Sequence, residues 1–160
     1  MFPSKQKGLS VEKQCSPACK KIKKSKSRSL SSIKDELWGL FTLYIKLVYS
    51  PDGEWCSCYT CDRPIQIGTT DCQGGHAFSK GANGALYFDE RAVRPQCSYC
   101  NCAEEGNHYI FNERLKKEIG MIEWQDMYDK RKTLRTGSRQ VYLEKIDYYT
   151  KQIEIMRASK

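Results

Sequence analysis

The sequence has little histidine and no long apolar run. Among its 160 residues only His76 and His108 carry an imidazole. The most apolar stretch, residues 37–49, is too short to span a bilayer and is interrupted by Lys46. The N-terminal region also lacks the continuous apolar core of a secretory signal. We therefore expect a cytoplasmic protein that makes no membrane contact.

Acidic residues are nearly absent from the start of the chain. Residues 1–34 contain ten Lys and Arg against one acid, Glu12, and the rest of the chain is close to neutral, so the net charge of +8 belongs to this segment. A Lys- and Ser-rich segment buries too little apolar surface to fold by itself. We interpret residues 1–31 as a disordered arm that binds nucleic acid phosphates, and a solvated tail is the alternative. The lysines expected to make these contacts are Lys20, Lys21, Lys23 and Lys24.

Apolar residues recur at helical spacing in several segments. The spacing predicts a helix over residues 32–49, with Ser32 as its cap, and another that begins after Asn107 and ends at Gly120. A short helix should follow from residue 121. A final segment, residues 137–160, places five apolar residues at heptad spacing: Tyr142, Ile146, Tyr149, Ile153 and Met156. This seam should pack on the helix of residues 32–49, and a homodimer contact is the alternative.

Glycines and prolines interrupt the middle of the chain and disfavour helix there. Short apolar pieces between them predict a β-hairpin. We expect its first strand near residues 69–78 and its second near residues 85–91, joined by the loop "SKGANG".

Nine cysteines, an odd number, occur in closely spaced groups. Cys58 and Cys61 in "CYTC" and Cys97 and Cys100 in "CSYC" form two CxxC pairs. Two such pairs supply the tetrahedral thiolate set of a structural zinc site. A disulfide framework is disfavoured without an export signal, and a redox pair is disfavoured without a βαβ pattern. Cys56 is an alternative ligand to Cys58.

A zinc ion held by four cysteines leaves no open position for chemistry. Folding the hairpin back should bring His76, near the end of its first strand, towards Asn101, which directly follows Cys100. A neutral imidazole can activate water, and an amide oxygen suits Mg²⁺ or Mn²⁺. This pair suggests metal-assisted phosphodiester hydrolysis, and a purely structural role for both residues is the alternative.

Four separated blocks carry a family resemblance: "CYTC", "GGHAFS", "FDERAVRPQCSYCN" and "GNHYIFNERLKKEIG". Their order and spacing resemble the NinG (Rap) recombination endonucleases of lambdoid phages and, more distantly, phage endonuclease VII and the HNH nucleases. The resemblance implies an α+β fold, with a small zinc-bound ββα-metal (HNH-like) core in residues 32–136 flanked by α-helices. It also implies cleavage of branched DNA, such as Holliday junctions and D-loops, in the bacterial host cytoplasm, with phage or host recombination proteins as further partners.

The resemblance also implies roles for single residues. The four CxxC cysteines match zinc ligands, His76 matches the general base, and Asn101 matches a ligand of a catalytic Mg²⁺ or Mn²⁺. Asn107 matches a motif position without an assigned role, and His108 is a further site residue of unassigned role. The chain departs from the HNH pattern at two positions, Gly75 and Ala92. Either Asp71 or Glu104 then supplies the ligand that is missing at residue 75, or the ion is held by His76 and Asn101 together with phosphate oxygens and waters.

Basic residues on or beside the hairpin are expected to contact DNA phosphates: Lys80, Arg91 and Arg94.

Two other functions compete with the junction endonuclease. One is a non-catalytic zinc protein that binds nucleic acid, and the other is an HNH-type nuclease that acts on unbranched DNA or on RNA.

Overall fold

The computed structural model describes residues 28–79, 84–134 and 137–159. These residues form an α+β fold with four α-helices and two small antiparallel sheets. The elements in chain order are α1 Leu30–Val48, β1 Trp55–Ser57, β2 Pro64–Gln66, β3 Cys72–His76, β4 Val93–Cys97, α2 His108–Ile119, α3 Met121–Lys130 and α4 Arg139–Ala158. Lys80 and the arm lysines Lys20, Lys21, Lys23 and Lys24 lie outside the described residues. Within the described ranges, no helix has the length and apolarity needed to cross a membrane.

Helix α1 confirms the predicted amphipathic segment but begins earlier than expected. Its cap is Ser29, whose side chain accepts a hydrogen bond from the Ser32 backbone N–H at 3.1 Å. Ser32 therefore lies inside the first turn instead of capping it. The apolar stripe of α1 faces inward, as the spacing predicted.

The heptad seam of α4 packs on α1 within the same chain. The shared core also contains residues from around β4, and its buried members are Ile33, Leu37, Phe41, Ile45, Phe88, Val93, Tyr142, Ile146 and Tyr149. Intramolecular packing of the seam is thus confirmed. Because α1 already covers this face of α4, a homodimer would need another surface and stays a prediction.

The hairpin of the central region pairs β3 with β4. Cys72 lies opposite Cys97, and His76 lies opposite Val93. The predicted second strand at residues 85–91 was wrong, since that segment forms turns and enters the 3₁₀ helix Glu90–Ala92, capped by the Asp89 side chain. Every residue of β4 is buried. Burial in this strand therefore does not alternate as it does in a half-exposed strand, because the polar Arg94 and Gln96 are buried as well.

A second core joins the far end of the hairpin to α2 and α3. Its buried members are Ala77, Phe78, Leu86, Ala92, Phe111, Leu115 and Met127. Gly120, with φ 86°, separates the two helices as predicted. Asn107 occupies the cap position of α2, but its side chain makes no capping hydrogen bond.

Candidate metal centre and adjoining cleft

The four cysteines of the CxxC pairs converge in space. The β1–β2 hairpin presents Cys58 and Cys61, while the end of β4 and the π-helical turn Tyr99–Ala103 present Cys97 and Cys100. All four sulfur atoms lie within 4.8 Å of one another, and Cys61 Sγ is 3.9 Å from Cys97 Sγ. Zinc–sulfur bonds of about 2.3 Å in a tetrahedron separate the sulfurs by about 3.8 Å. The cluster therefore fits a structural zinc ion.

Backbone N–H groups stabilise negative charge on Cys58, whereas burial raises the pKa of the Cys61 and Cys100 thiols. Cys97 N donates to Cys58 Sγ at 3.3 Å, and Cys100 N donates to Cys97 Sγ at 3.4 Å. Burial alone would raise the pKa of the Cys58 thiol. Hydrogen bonds from Thr60, from Cys97 N and from Cys61 N outweigh it and lower that pKa to about 6. Cys58 is thus held close to the thiolate form that a metal requires.

Cys56 does not belong to the metal cluster. Its Sγ lies 3.7 Å from that of Cys72, and both side chains are buried beside the four ligands. Cys58, not Cys56, is therefore the candidate metal ligand that accompanies Cys61. Cys102 is exposed and also lies outside the cluster.

A cleft of about 300 Å³ adjoins the metal centre. It brings together His76, Asn101 and His108, which the sequence had singled out, and adds Glu105, which it had not. The remaining lining residues are Phe78, Ser79, Cys102 and Gly106. Two imidazoles, an amide and a carboxylate therefore face one space at the end of the hairpin.

His76 is fixed on two sides. Its ring stacks on the indole of Trp38 in α1, with centroids 4.9 Å apart and planes 6° from parallel. Its Nε2 lies 3.2 Å from the backbone oxygen of Tyr87. A carbonyl oxygen can only accept, so Nε2 carries the proton, and Nδ1 of the neutral ring carries the lone pair that a base needs.

Asn101 is oriented by Gln73 on β3. Asn101 Nδ2 donates to Gln73 Oε1 at 2.7 Å, and Gln73 Nε2 donates to the backbone oxygen of Thr70 at 3.0 Å. The second bond fixes which end of the Gln73 amide accepts. Since the amide nitrogen of Asn101 is engaged, its oxygen is the atom left to bind a cation.

Gly75 has no room for a side chain. A Cβ atom there would lie 1.8 Å from Oε1 of Gln96, whose side chain is fully buried and donates from Nε2 to the Gly106 backbone oxygen at 2.9 Å. Gln96 thus fills the space that an acid at residue 75 would need.

Ala92, the second departure from the HNH pattern, is also fully buried, and its backbone oxygen accepts from Ala77 N at 2.8 Å.

The segment before α2 carries Glu105 and His108 to the cleft. Glu105, Gly106 and Asn107 have φ angles of 49°, 91° and 45°, so three consecutive residues are left-handed. Such conformations are uncommon outside glycine and often occur at functional sites. Gly106 next to Asn107 was the sequence signal for this turn, but nothing in the pattern indicated which acid it would turn towards the cleft.

A family model described as "Bacteriophage Lambda NinG protein" matches residues 4–158. The chain belongs to the NinG family. Its function is accordingly related to phage recombination. No curated protein and no solved structure matches the chain.

The other acids suggested for this NinG-family site are placed elsewhere. Asp71 accepts from Ser98 Oγ at 2.6 Å and pairs with Arg63 at 2.9 Å. The Ser98 hydrogen bond is the main reason that the pKa of Asp71 lies below its usual value. Glu104 is exposed at the end of the π-helical turn. Neither acid lines the cleft, whereas Glu105 does.

The two hairpin arginines of the NinG-family chain are engaged by acids. Arg94 has 4% of its side chain exposed and pairs with Glu118 at 2.9 Å, so, contrary to expectation, it cannot reach a DNA phosphate from this position. Arg91 pairs with Asp89 at 2.8 Å and with Glu123 at 2.7 Å. These contacts offset its charge, so Arg91 is a poor candidate for binding phosphate.

The cleft offers a donor set that suits a hard divalent ion. Amide and carboxylate oxygens are the ligands that Mg²⁺ and Mn²⁺ prefer, and Asn101 and Glu105 supply one of each. Among the described residues, only the cysteine cluster has its His, Cys, Asp or Glu ligand atoms already gathered around one point. The cleft thus has suitable donors without a preformed cage, as is common for Mg²⁺ sites completed by waters and phosphates.

Proposed function

We propose that this NinG-family protein is a metal-dependent DNA endonuclease. Its substrates would be branched recombination intermediates such as Holliday junctions and D-loops, in the cytoplasm of the bacterial host. The observation that supports this best is the meeting of His76 and Asn101 in one cleft beside the cysteine centre. The β3–β4 hairpin followed by a helical turn is also the order of elements expected of a ββα-metal core.

His76 is assigned the role of general base. Its Nδ1 accepts a proton from a water molecule, whose oxygen forms a bond to phosphorus while the ester P–O bond breaks. The leaving oxygen takes a proton from solvent. General-base assistance of this kind accelerates a reaction by about a hundred- to ten-thousandfold. Trp38 and the Tyr87 carbonyl hold the ring, so little reorganisation is needed when the water arrives.

Asn101 and Glu105 are assigned to a catalytic Mg²⁺ or Mn²⁺. An ion bound there would offset the negative charge that grows on the phosphate oxygens and the leaving oxygen. A zinc ion held by the four cysteines would have a different role. With four thiolate ligands it would have no open position, and it would hold Cys100 in place directly before Asn101.

DNA affinity is assigned mainly to the basic arm of residues 1–31. Lysine contacts to phosphates displace counterions, so binding should weaken steeply as salt rises. Structure selectivity would then come from the shape of the branch at the cleft.

A cleavage assay tests the proposal. Wild-type protein is incubated with a four-way junction in Mg²⁺, in Mn²⁺ and in chelator, beside His76→Ala and Asn101→Ala. We expect ion-dependent cleavage that His76→Ala lowers at least a hundredfold without changing zinc content. Gln125→Ala, on the exposed face of α3, is the matched control. Binding without cleavage in any ion would indicate a non-catalytic zinc protein, and equal cleavage of junction, duplex and RNA would refute branch selectivity.

A further inference from the structure

We propose that His108 is a second functional group of the cleft, whose Nε2–H donates a hydrogen bond to an oxygen of the bound phosphodiester. This inference rests on the proposed endonuclease function and gives a role to a side chain that the mechanism above does not use. It also assigns the two histidines different tasks. His76 accepts a proton from water, and His108 binds the substrate.

The first argument is the placement of His108. It is the first residue of α2 and lines the same cleft as His76 and Asn101. The left-handed residues before it bring the ring there, and Gly106 leaves space for it. A Cβ atom at residue 106 would lie 2.9 Å from His108 Cε1. A side chain at position 106 would therefore force the imidazole or the backbone to shift.

The second argument is the position of the ring proton. Nδ1 of His108 is buried and has no hydrogen-bond partner among the residues that the structure describes. A proton on Nδ1 would bury an N–H group without an acceptor, which is more costly than burying a bare ring nitrogen. The neutral ring therefore carries its proton on Nε2, the nitrogen that remains to face the cleft.

The tautomer decides what His108 can bind. A metal ion needs a ring nitrogen with a lone pair, and in this tautomer that nitrogen is the buried Nδ1. Nε2–H can instead donate to an anionic oxygen, and a phosphodiester offers such oxygens. The cation donors of the cleft are Asn101 and Glu105, so the ion and the phosphate have separate partners.

Nuclear magnetic resonance tests the tautomer without any activity. Because the chain has two histidines, a long-range ¹H–¹⁵N spectrum of protein with ¹⁵N-labelled histidine shows two rings. His76→Ala and His108→Ala assign them. At alkaline pH we expect the Nε2-protonated pattern for both rings of the zinc-loaded protein. An Nδ1-protonated His108 would overturn the proposal.

Kinetics and metal binding test the role. His108→Ala should slow single-turnover cleavage by about ten- to a hundredfold, the usual effect of losing a hydrogen bond to a charged group. Its Mn²⁺ affinity, measured by electron paramagnetic resonance, should stay at the wild-type value, whereas Asn101→Ala should weaken it. His108→Gln keeps a donor at similar reach and should recover part of the rate. Wild-type cleavage by His108→Ala, or loss of Mn²⁺ affinity as in Asn101→Ala, would contradict the proposal.

The two proposals can fail separately. Absence of cleavage by the wild type in every ion would reject the endonuclease. The affinity of wild type and His108→Ala for the same junction DNA would then decide about His108. Weaker binding by the variant supports the hydrogen bond to phosphate, and equal binding rejects it.

Discussion

Gln73 and Asn101 form a hydrogen bond that joins the β3–β4 hairpin to the π-helical turn Tyr99–Ala103. Asn101 Nδ2 donates to Gln73 Oε1 at 2.7 Å, and Cys102 Sγ lies 3.2 Å from the same oxygen. An unrestrained amide can flip and exchange its nitrogen and oxygen. Gln73 prevents this, so the oxygen of Asn101 stays available for a cation.

The first prediction concerns this bond. Gln73→Leu keeps the size of the side chain but removes the acceptor, so Asn101 loses its fixed orientation. We expect Mn²⁺ affinity and cleavage rate each to fall by about two- to tenfold, the value of one hydrogen bond. Gln125→Ala, at an exposed position on α3, should change neither. An unchanged Mn²⁺ affinity in Gln73→Leu would show that Gln73 does not orient Asn101.

The second prediction concerns Gly75. Its added Cβ would lie 1.8 Å from the fully buried Gln96 side chain. Gly75→Ala should therefore lower the free energy of unfolding by about 1–3 kcal/mol, measured by urea denaturation. Gly39→Ala is the matched control, because a Cβ at that exposed position in α1 meets no atom within 4 Å. Gly39→Ala should raise the free energy of unfolding by about 0.5–1 kcal/mol.

The same clash concerns the acid that the HNH pattern places at residue 75. Gly75→Asp should not restore a metal ligand, because Gln96 occupies the space into which the carboxylate would extend. A stable Gly75→Asp protein with higher Mn²⁺ affinity would refute this account.

Local patterns in the sequence predicted the helices and the cluster of four cysteines. The apolar spacing of α1 and α4 and the two CxxC pairs each lie within a short stretch, so they can be recognised without knowing the fold. Strand β4 could not be recognised in this way, because it is buried on both faces and contains Pro95. Prolines are typical of strand edges and turns.

A long-range contact and an unusual local backbone conformation explain the other differences from expectation. Arg94 resembled a surface charge, but its partner Glu118 lies twenty-four residues further along the chain. Glu105 enters the cleft only because Glu105 and Asn107 adopt left-handed backbone angles. No spacing rule reports such a turn reliably, so the sequence suggested Asp71 and Glu104 as the acids instead.

The third prediction concerns the cysteine cluster. Serine at Cys58 or Cys100 removes one ligand, so zinc content should fall and the protein should unfold at lower urea concentration, since a small domain gains much of its folding free energy from the metal. Cys102→Ser is the control, because Cys102 is exposed and outside the cluster. Zinc content is measured by atomic emission. Full zinc content and stability in Cys58→Ser would refute the site.

The fourth prediction concerns the seam between α1 and α4. Tyr149 is buried against Phe41 with ring centroids 5.4 Å apart, and its hydroxyl donates to Glu90 at 3.0 Å. Tyr149→Ala should lower the free energy of unfolding by about 3–5 kcal/mol, whereas Tyr149→Phe should lower it by about 1 kcal/mol. The exposed Tyr148→Ala is the control. Light scattering should show the same oligomeric state for all three. A stable Tyr149→Ala protein that changes its state would point to a seam between chains.

The last prediction concerns pH and the ion pair between the buried Arg94 and the partly exposed Glu118. Burial raises the pKa of the Glu118 carboxyl, but hydrogen bonds from Arg94, Tyr49 and Tyr59 outweigh it and hold the pKa below its ordinary value of 4.5. The tyrosine hydroxyls each lie 2.6 Å from a Glu118 oxygen. Since the folded-state pKa is the lower one, the stabilisation is complete above the pKa of the unfolded chain and is lost as pH falls through the folded-state pKa.

Glu118→Gln tests this sign. At neutral pH it leaves Arg94, only 4% exposed, without its counter-charge. Because the Glu118 side chain is itself 36% exposed, solvent screens part of this loss, and we expect the free energy of unfolding to fall by about 1–2 kcal/mol. Glu123→Gln breaks the exposed pair with Arg91 and should cost less than about 1 kcal/mol. Urea denaturation across a pH series measures both. The difference between wild type and Glu118→Gln should shrink as the pH falls below the ordinary value of 4.5, because both proteins then carry an uncharged group at this position. A difference that stays constant would mean that residue 118 contributes through packing rather than through its charge.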